Sequence, residues 1–90
     1  MPLQRGQVKA YDFDRMIVEF TMLNDGKVIQ CAISTAAMDG LEGTSGVKSD
    51  HRVDQFIRLR DVIEDRASRR FFENKSQSDR PIVLRSNDFL

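Results

Sequence analysis

Two segments of alternating polarity flank an Asp25-Gly26 pair, and this arrangement constrains the fold more than any other feature of the chain. Asp-Gly is a preferred sequence for a two-residue hairpin turn, in which both central residues take positive φ. The pattern predicts strands over residues 16–22 and 27–34, which pair so that Phe20 lies opposite Cys31. A shift of one residue would place Phe20 against a polar side chain, so the turn and the hydrophobic pattern specify the same register.

The remaining elements are predicted from caps, breakers and periodicity. Ser34 or Thr35 caps a short helix over residues 36–41, which ends near Gly43. The full prediction is a short strand at 8–11, a polar turn at 12–15, the hairpin, the short helix, a long helix from 49 to about 74, a polar loop at 76–80 and a last strand at 82–86 after Pro81. This order predicts an α+β domain. A small antiparallel sheet, made of the β-hairpin and the C-terminal strand, is covered on one face by a short and a long helix.

The long helix carries two apolar faces of unequal width. At 100° per residue its main stripe is predicted to be Val53, Phe56, Ile57, Arg60, Ile63, Ala67 and Phe71. Leu59 and Val62 point away from this stripe and form, with Arg66, a narrower seam at i, i+3 and i+7. We expect a partner protein or a second copy of the chain to cover this seam, which makes it the candidate interaction surface.

Composition limits the class of protein. The chain has 90 residues, which predicts one domain, with a flexible N-terminus at about 1–7 and a flexible loop at about 42–48. Lys and Arg (14) balance Asp and Glu (14), which excludes a histone-like basic protein and an acidic tail. No apolar run is long enough for a membrane span or a signal peptide. One cysteine forms no internal disulfide, so we expect the reducing cytosol.

The residues that resemble a known family are mostly predicted core positions. They are Tyr11-Asp12, Arg15, Val18-x-Phe20, the Gly26 turn, Cys31-Ala32-Ile33-Ser34, and Phe56, Arg60, Ile63 and Ala67 on the long helix. In this pattern the chain resembles the bacterial domain-of-unknown-function family 1488, over roughly residues 11–88. The resemblance implies an antiparallel sheet packed on helices, in a family sometimes labelled transcriptional regulators, and it brings no active site. The chain departs from the family around residues 38–48, where Gly40 and Gly43 interrupt the helix.

Candidate chemical groups are few. Cys31 is predicted to lie in mid-strand opposite Phe20, where burial favours a structural thiol over a nucleophile. His51 is the single histidine, and together with Cys31 it supplies only two of the three or four ligands that a zinc site needs. The segment from Gly40 to Ser49 has the wrong spacing for a phosphate-binding loop, although weak anion binding at the helix start stays open. We therefore predict no metal and no cofactor.

The arginines of the long helix admit two interpretations. Six arginines between residues 52 and 70 suggest nucleic acid, but six acidic residues between 50 and 73 match them. Arg58 and Arg69 follow Asp54 and Asp65 at i, i+4, which favours a solvated face of ion pairs. Arg60 falls inside the apolar stripe and is predicted to connect helix and sheet, with Glu64, Asp12 or Asp14 as its acceptor.

The sequence predicts a small cytosolic protein that works without catalysis, through contacts with an unknown protein partner or as a weak homodimer. The candidate interaction surface comprises Leu59, Val62, Arg66, Arg58 and Arg69, while Phe20, Cys31 and Arg60 are structural. The first alternative is a nucleic-acid-associated transcriptional regulator that uses the arginines of the outer helix face. The second alternative is an enzyme that uses Cys31 or Arg60.

Overall fold

Residues 3–73 and 81–89, which the computed structural model describes, contain four strands and two helices. The elements are β1 (Gln4–Asp12), β2 (Ile17–Asn24), β3 (Lys27–Ser34), α1 (Thr35–Glu42), α2 (Arg52–Glu73) and β4 (Ile82–Leu84). Short 3₁₀ turns cover Ser49–His51 and Ser86–Phe89. The strands form one sheet in the order β1-β2-β3-β4, which confirms the α+β class. The loop predicted at 76–80 and the helix end predicted at 74 lie outside the described residues.

The β2–β3 hairpin has the predicted register. Asp25 and Gly26 take φ values of 51° and 83°, as a two-residue turn of this type requires. Phe20 lies opposite Cys31, and the pairing continues without a shift from Asn24–Lys27 to Ile17–Ser34. Because side chains alternate along each strand, this register places every second residue of both strands on the helix-covered face.

The last strand differs from the prediction of an antiparallel sheet. β4 runs parallel to β3, with Cys31 opposite Ile82 and Ile33 opposite Leu84, so the sheet is mixed. Both helices lie between these two strands in the sequence, and a helical crossover of this length returns the chain to the same edge in the same direction. β4 is also shorter than predicted and ends at Leu84, before the C-terminal 3₁₀ turn.

β1 begins earlier than predicted. The strand starts at Gln4 rather than at Val8, and Leu3 before it is buried in the core. Of the N-terminus predicted to be flexible over residues 1–7, residues 4–7 therefore belong to a strand. β1 was underestimated because it is a polar edge strand, and its pairing with β2 contains two irregularities that disturb the alternation.

One of these irregularities depends on Gly6. A Cβ atom at this position would lie 2.4 Å from the carbonyl oxygen of Thr21, which no side chain can accommodate without backbone movement. The next amide, of Gln7, donates to the Oγ1 atom of Thr21 at 2.9 Å. The side chain of Thr21 thus replaces a ladder hydrogen bond where the strand bulges.

The β1–β2 connection corrects the start of the second strand. The strand predicted over residues 16–22 was expected to begin with Met16, but Met16 lies in the turn, at φ 56° and 55% exposed. The carboxylate of Asp12 accepts from the amide of Arg15 at 3.2 Å and stabilises the turn. β2 therefore starts at Ile17, and its inward face begins with Val18.

α1 has the predicted caps. The Ser34 hydroxyl accepts from the amide of Ala37 at 3.1 Å, and Gly43 ends the helix in the left-handed conformation. Residues 44–48 have no regular secondary structure, and their flexibility stays a prediction.

The core lies between one face of the sheet and the two helices. Phe20 from β2 packs against Phe56 from α2, with ring centroids 4.9 Å apart. Around this pair are Leu3, Val18, Met22, Cys31, Ile33, Ala37, Met38, Ile63, Ala67, Ile82 and Leu84. The packing orients α2, and thereby decides which of its side chains remain at the surface.

Candidate interaction surface on the long helix

The buried face of α2 is rotated from the predicted stripe. Phe56, Ile63 and Ala67 are buried as predicted, but Ile57 is 49% exposed and Val53 is only half-buried. Leu59, predicted to lie in the outer seam, is instead half-buried against the core. The helical wheel of an isolated helix does not include the docking of other elements: α1 packs on α2, and the C-terminal 3₁₀ turn contacts α1.

Arg66 also leaves the predicted seam. Its Nε atom donates to the backbone oxygen of Asp88 at 2.6 Å, and its Nη1 atom lies 3.5 Å from Glu73. Arg70 binds the carboxylate of the same Asp88 at 2.6 Å. These bonds fasten the C-terminal 3₁₀ turn to α2, so Arg66 serves the fold.

Between residues 54 and 69, five exposed side chains lie within one arc of the helix, and we call them the outer face of α2. They are Asp54, Arg58, Val62, Asp65 and Arg69. Val62 is 51% exposed at the centre of this face, so three of the predicted interaction residues, Arg58, Val62 and Arg69, do lie side by side.

Each arginine of this face already has an acidic partner. Arg58 binds Glu42 through two bonds, Nε–Oε2 at 2.8 Å and Nη2–Oε1 at 3.1 Å. These hydrogen bonds raise the pKa of Arg58 and hold the pKa of Glu42 below its usual range. Arg69 binds Asp65 one turn earlier at 3.2 Å. The outer face is therefore charged but balanced.

A polar network beneath the outer face joins α2 to α1. Arg52, a buried residue, binds Asp39 at 2.7 Å and the side-chain oxygen of Gln55 at 2.8 Å. The amide nitrogen of Gln55 donates to Asp39 at 3.0 Å and to Glu42 at 3.2 Å. Partial burial raises the pKa of Asp39, but the bonds from Arg52 and Gln55 outweigh it and the pKa is lowered.

Sequence reasoning missed this network, because its two carboxylates belong to α1. The available signal was weak: Asp39 and Glu42 lie three residues apart on a short helix, and Arg52 and Gln55 lie three apart at the start of the next. Spacing places each pair on one helix face, but only the docking of the two helices brings them together.

Arg60 connects α2 to the sheet, as predicted. Its Nε atom binds Glu64 at 2.8 Å, and its Nη2 atom donates to the backbone oxygen of Gly6 at 3.1 Å. The acceptor in the sheet is therefore this carbonyl of β1, and neither Asp12 nor Asp14. Arg5 shares Glu64 at 2.8 Å, so the guanidinium of Arg60 belongs to a satisfied network.

Cys31 has the environment of a structural thiol. It is buried opposite Phe20, and its sulfur lies 3.6 Å from the backbone oxygen of Ile29. Desolvation raises the pKa of the thiol to about 12. Almost none of it is ionised at neutral pH, and the thiolate is the reactive form.

We expect Cys31 to resist thiol reagents in the folded protein. Alkylation at neutral pH should follow the rate of unfolding, and should become fast only in denaturant. Mass spectrometry of iodoacetamide-treated protein, with and without urea, measures both rates. Complete labelling within minutes under native conditions would contradict this prediction and would favour an enzyme that uses Cys31.

An open groove of about 590 Å³ adjoins the outer face at the start of α2. The loop 44–48 forms one wall, and His51, Asp54 and Arg58 form the other. Both signs of charge line the groove. Within residues 3–73 and 81–89, no three His, Cys, Asp or Glu side chains lie close enough together to hold a metal ion. No described helix is long and apolar enough to span a membrane.

Comparison with known proteins gives a family and a fold. No curated protein matches the chain. A crystal structure of a protein of unknown function from Shewanella loihica PV-4, of the DUF1488 family, is similar in fold, with a TM-score of 0.68. It is 23% identical, over 87% of this chain and 85% of that chain. The model of the family described as "Protein of unknown function (DUF1488)" matches residues 5–84. The chain, with its mixed four-stranded sheet and two helices, belongs to the DUF1488 family.

Proposed function

We propose that this protein works in the cytosol through protein–protein contacts made by the outer face of α2, without catalysis of its own. One observation carries the proposal: Val62 is 51% exposed at the centre of the outer face, whereas the other large apolar side chains of α2, apart from Ile57 and Phe72, face the core. Charged side chains in ion pairs surround it. An apolar centre with a polar rim is the usual anatomy of an interface between proteins.

The state of the reactive groups supports a non-catalytic role. Cys31 is buried and protonated at neutral pH. Arg60 is held by Glu64 and the carbonyl of Gly6, so a ligand carboxylate would have to displace one of them. The free thiol also fits a reducing compartment.

The balance of charges favours a protein partner over nucleic acid. A phosphate would have to compete with Glu42 for Arg58 and with Asp65 for Arg69. The carboxylate of Asp54, on the same face, would repel it. Nucleic-acid binding relies on a surplus of positive charges on the protein, which releases counterions from the phosphate backbone. The outer face has no such surplus, because its two arginines are matched by two aspartates. The alternative, a transcriptional regulator, predicts that this face contacts nucleic acid, and the crosslinking experiment below distinguishes the two.

Site-specific photo-crosslinking in cells tests the proposal. p-Benzoylphenylalanine replaces Val62 in one variant and Gln30, an exposed residue of β3 outside the helix-covered face, in the control. We expect protein adducts at position 62 that are missing at position 30. Adducts with nucleic acid at position 62, or the same yield of protein adducts at both positions, would overturn the proposal.

A further inference from the structure

We propose that the outer face of α2 binds a second copy of this chain, with the two helices antiparallel about a two-fold axis between Asp61 and Val62. This inference rests on the proposed function, because it names the partner of the same surface. The order of charges along the helix supports this pairing.

The outer face reads acidic, basic, apolar, acidic, basic in chain order. Its members, Asp54, Arg58, Val62, Asp65 and Arg69, are spaced by four, four, three and four residues. At 100° per residue they fall within an arc of about 80°, so one partner helix can contact all five. The side chains of Arg58, Asp65 and Arg69 are 55%, 62% and 68% exposed, which leaves them accessible.

This order is self-complementary for antiparallel helices. About an axis between residues 61 and 62, Arg58 faces Asp65 of the second copy, and Asp54 faces Arg69 of the second copy. The axis repeats both pairs. Val62 lies opposite position 61 of the second copy, so the two Val62 side chains lie on either side of the axis, one residue apart along the helix. A parallel dimer in register would instead place each charge against an identical one, which is unfavourable.

The bonds within one chain are compatible with this arrangement. Arg58 uses Nε and Nη2 for Glu42, and no described residue accepts from its Nη1 group, so this donor is available to an acceptor of the second copy. Asp65 and Arg69 are paired at 3.2 Å and largely exposed. Each half of the interface then contains four charges that alternate in sign. Asp54 and Arg58 come from one chain, and Arg69 and Asp65 come from the second copy.

The contact is narrow, so the association is weak. The stretch from Asp54 to Arg69 is about 22 Å long at 1.5 Å per residue. One helix pair of this length buries less than the roughly 1,200–2,000 Å² of a stable specific interface. We expect a monomer–dimer equilibrium at high protein concentration that shifts toward monomer as salt screens the charge pairs.

Charge reversal with rescue tests the pairing, by sedimentation equilibrium at low and high ionic strength. Arg58→Asp alone and Asp65→Arg alone should each weaken self-association by about tenfold or more, since each replaces two attractive pairs by two repulsive ones. An equimolar mixture of the two variants should restore a dimer, because both cross-pairs are again opposite in sign. Circular dichroism confirms the fold of each variant.

Two further variant pairs keep the test decisive. Asp54→Arg mixed with Arg69→Asp repeats the rescue without touching the Arg58–Glu42 bond. Lys27→Asp mixed with Asp14→Arg has the same net charges on exposed residues outside the outer face, and should associate no more than the wild type. We expect the single outer-face variants to lose self-association and both outer-face mixtures to regain it, whereas the control variants, alone and mixed, should associate like the wild type.

A wild-type chain that stays monomeric at millimolar concentration would overturn the second-copy inference. So would a mixture that fails to restore association when both variants are folded. The proposed function is refuted by a different result. Either position 62 crosslinks to nucleic acid, or it gives no more protein adducts than position 30. Crosslinking of position 62 to a different protein, with the purified chain monomeric, refutes the inference and leaves the proposed function standing.

Discussion

Replacing Phe20 with alanine is expected to lower the free energy of unfolding by about 3–5 kcal/mol, the range for aromatic-to-alanine changes in well-packed cores. Phe20 is 1% exposed, and its ring packs on Phe56 at the centre of the contact between sheet and helix. A domain of this size has a total stability on the order of 5–10 kcal/mol, so the variant should be close to unfolding at room temperature. Urea denaturation followed by circular dichroism measures the change.

Phe13→Ala is the matched control for Phe20→Ala. Phe13 lies in the β1–β2 turn and is 69% exposed, so its truncation should change the stability by no more than about 0.5 kcal/mol. Equal midpoints for Phe20→Ala and the wild type would mean that the hairpin does not bury Phe20. The register that places it opposite Cys31 would then be wrong.

The hairpin could be predicted because its determinants are local. The Asp25-Gly26 turn and the alternation on either side of it lie within about twenty residues, and each specifies the same pairing. The caps of α1 were predictable for the same reason, since Ser34 bonds the amide of Ala37 three residues later. Agreement between local signals is what makes such elements reliable.

The rotation of α2 could not be predicted, because it depends on segments distant in sequence. A helical wheel places Leu59 outside the main stripe, but in the folded protein Leu59 packs against the core. The parallel direction of β4 is likewise decided by where the two helices return the chain. The sequence therefore placed Val62, Arg58 and Arg69 correctly at the surface and misplaced Leu59 and Arg66, while the binding of a partner there stays a prediction.

Arg52→Met is expected to lower the free energy of unfolding by about 2–4 kcal/mol, the second-largest effect among these predictions. Methionine keeps much of the volume of the side chain but removes the charge. Asp39, 21% exposed, would then keep only the bond from the amide of Gln55. An uncompensated, partly buried carboxylate is costly, so α1 should detach more easily from α2. Thermal and urea unfolding measure the loss.

Two variants separate the cost of the stranded carboxylate from the loss of an arginine as such. Arg58, on the same helix, also binds a carboxylate of α1, but it does so at an exposed position. An exposed ion pair contributes about 0–1 kcal/mol, so Arg58→Met should lower the stability by no more than this. Asp39→Asn combined with Arg52→Met neutralises the group left behind, and should recover part of the stability. If Arg52→Met and Arg58→Met cost the same, burial does not strengthen the Arg52–Asp39 pair. If the double variant is no more stable than Arg52→Met, the unpaired carboxylate of Asp39 does not destabilise the protein. The lower stability of Arg52→Met would then come from the lost packing of the arginine side chain.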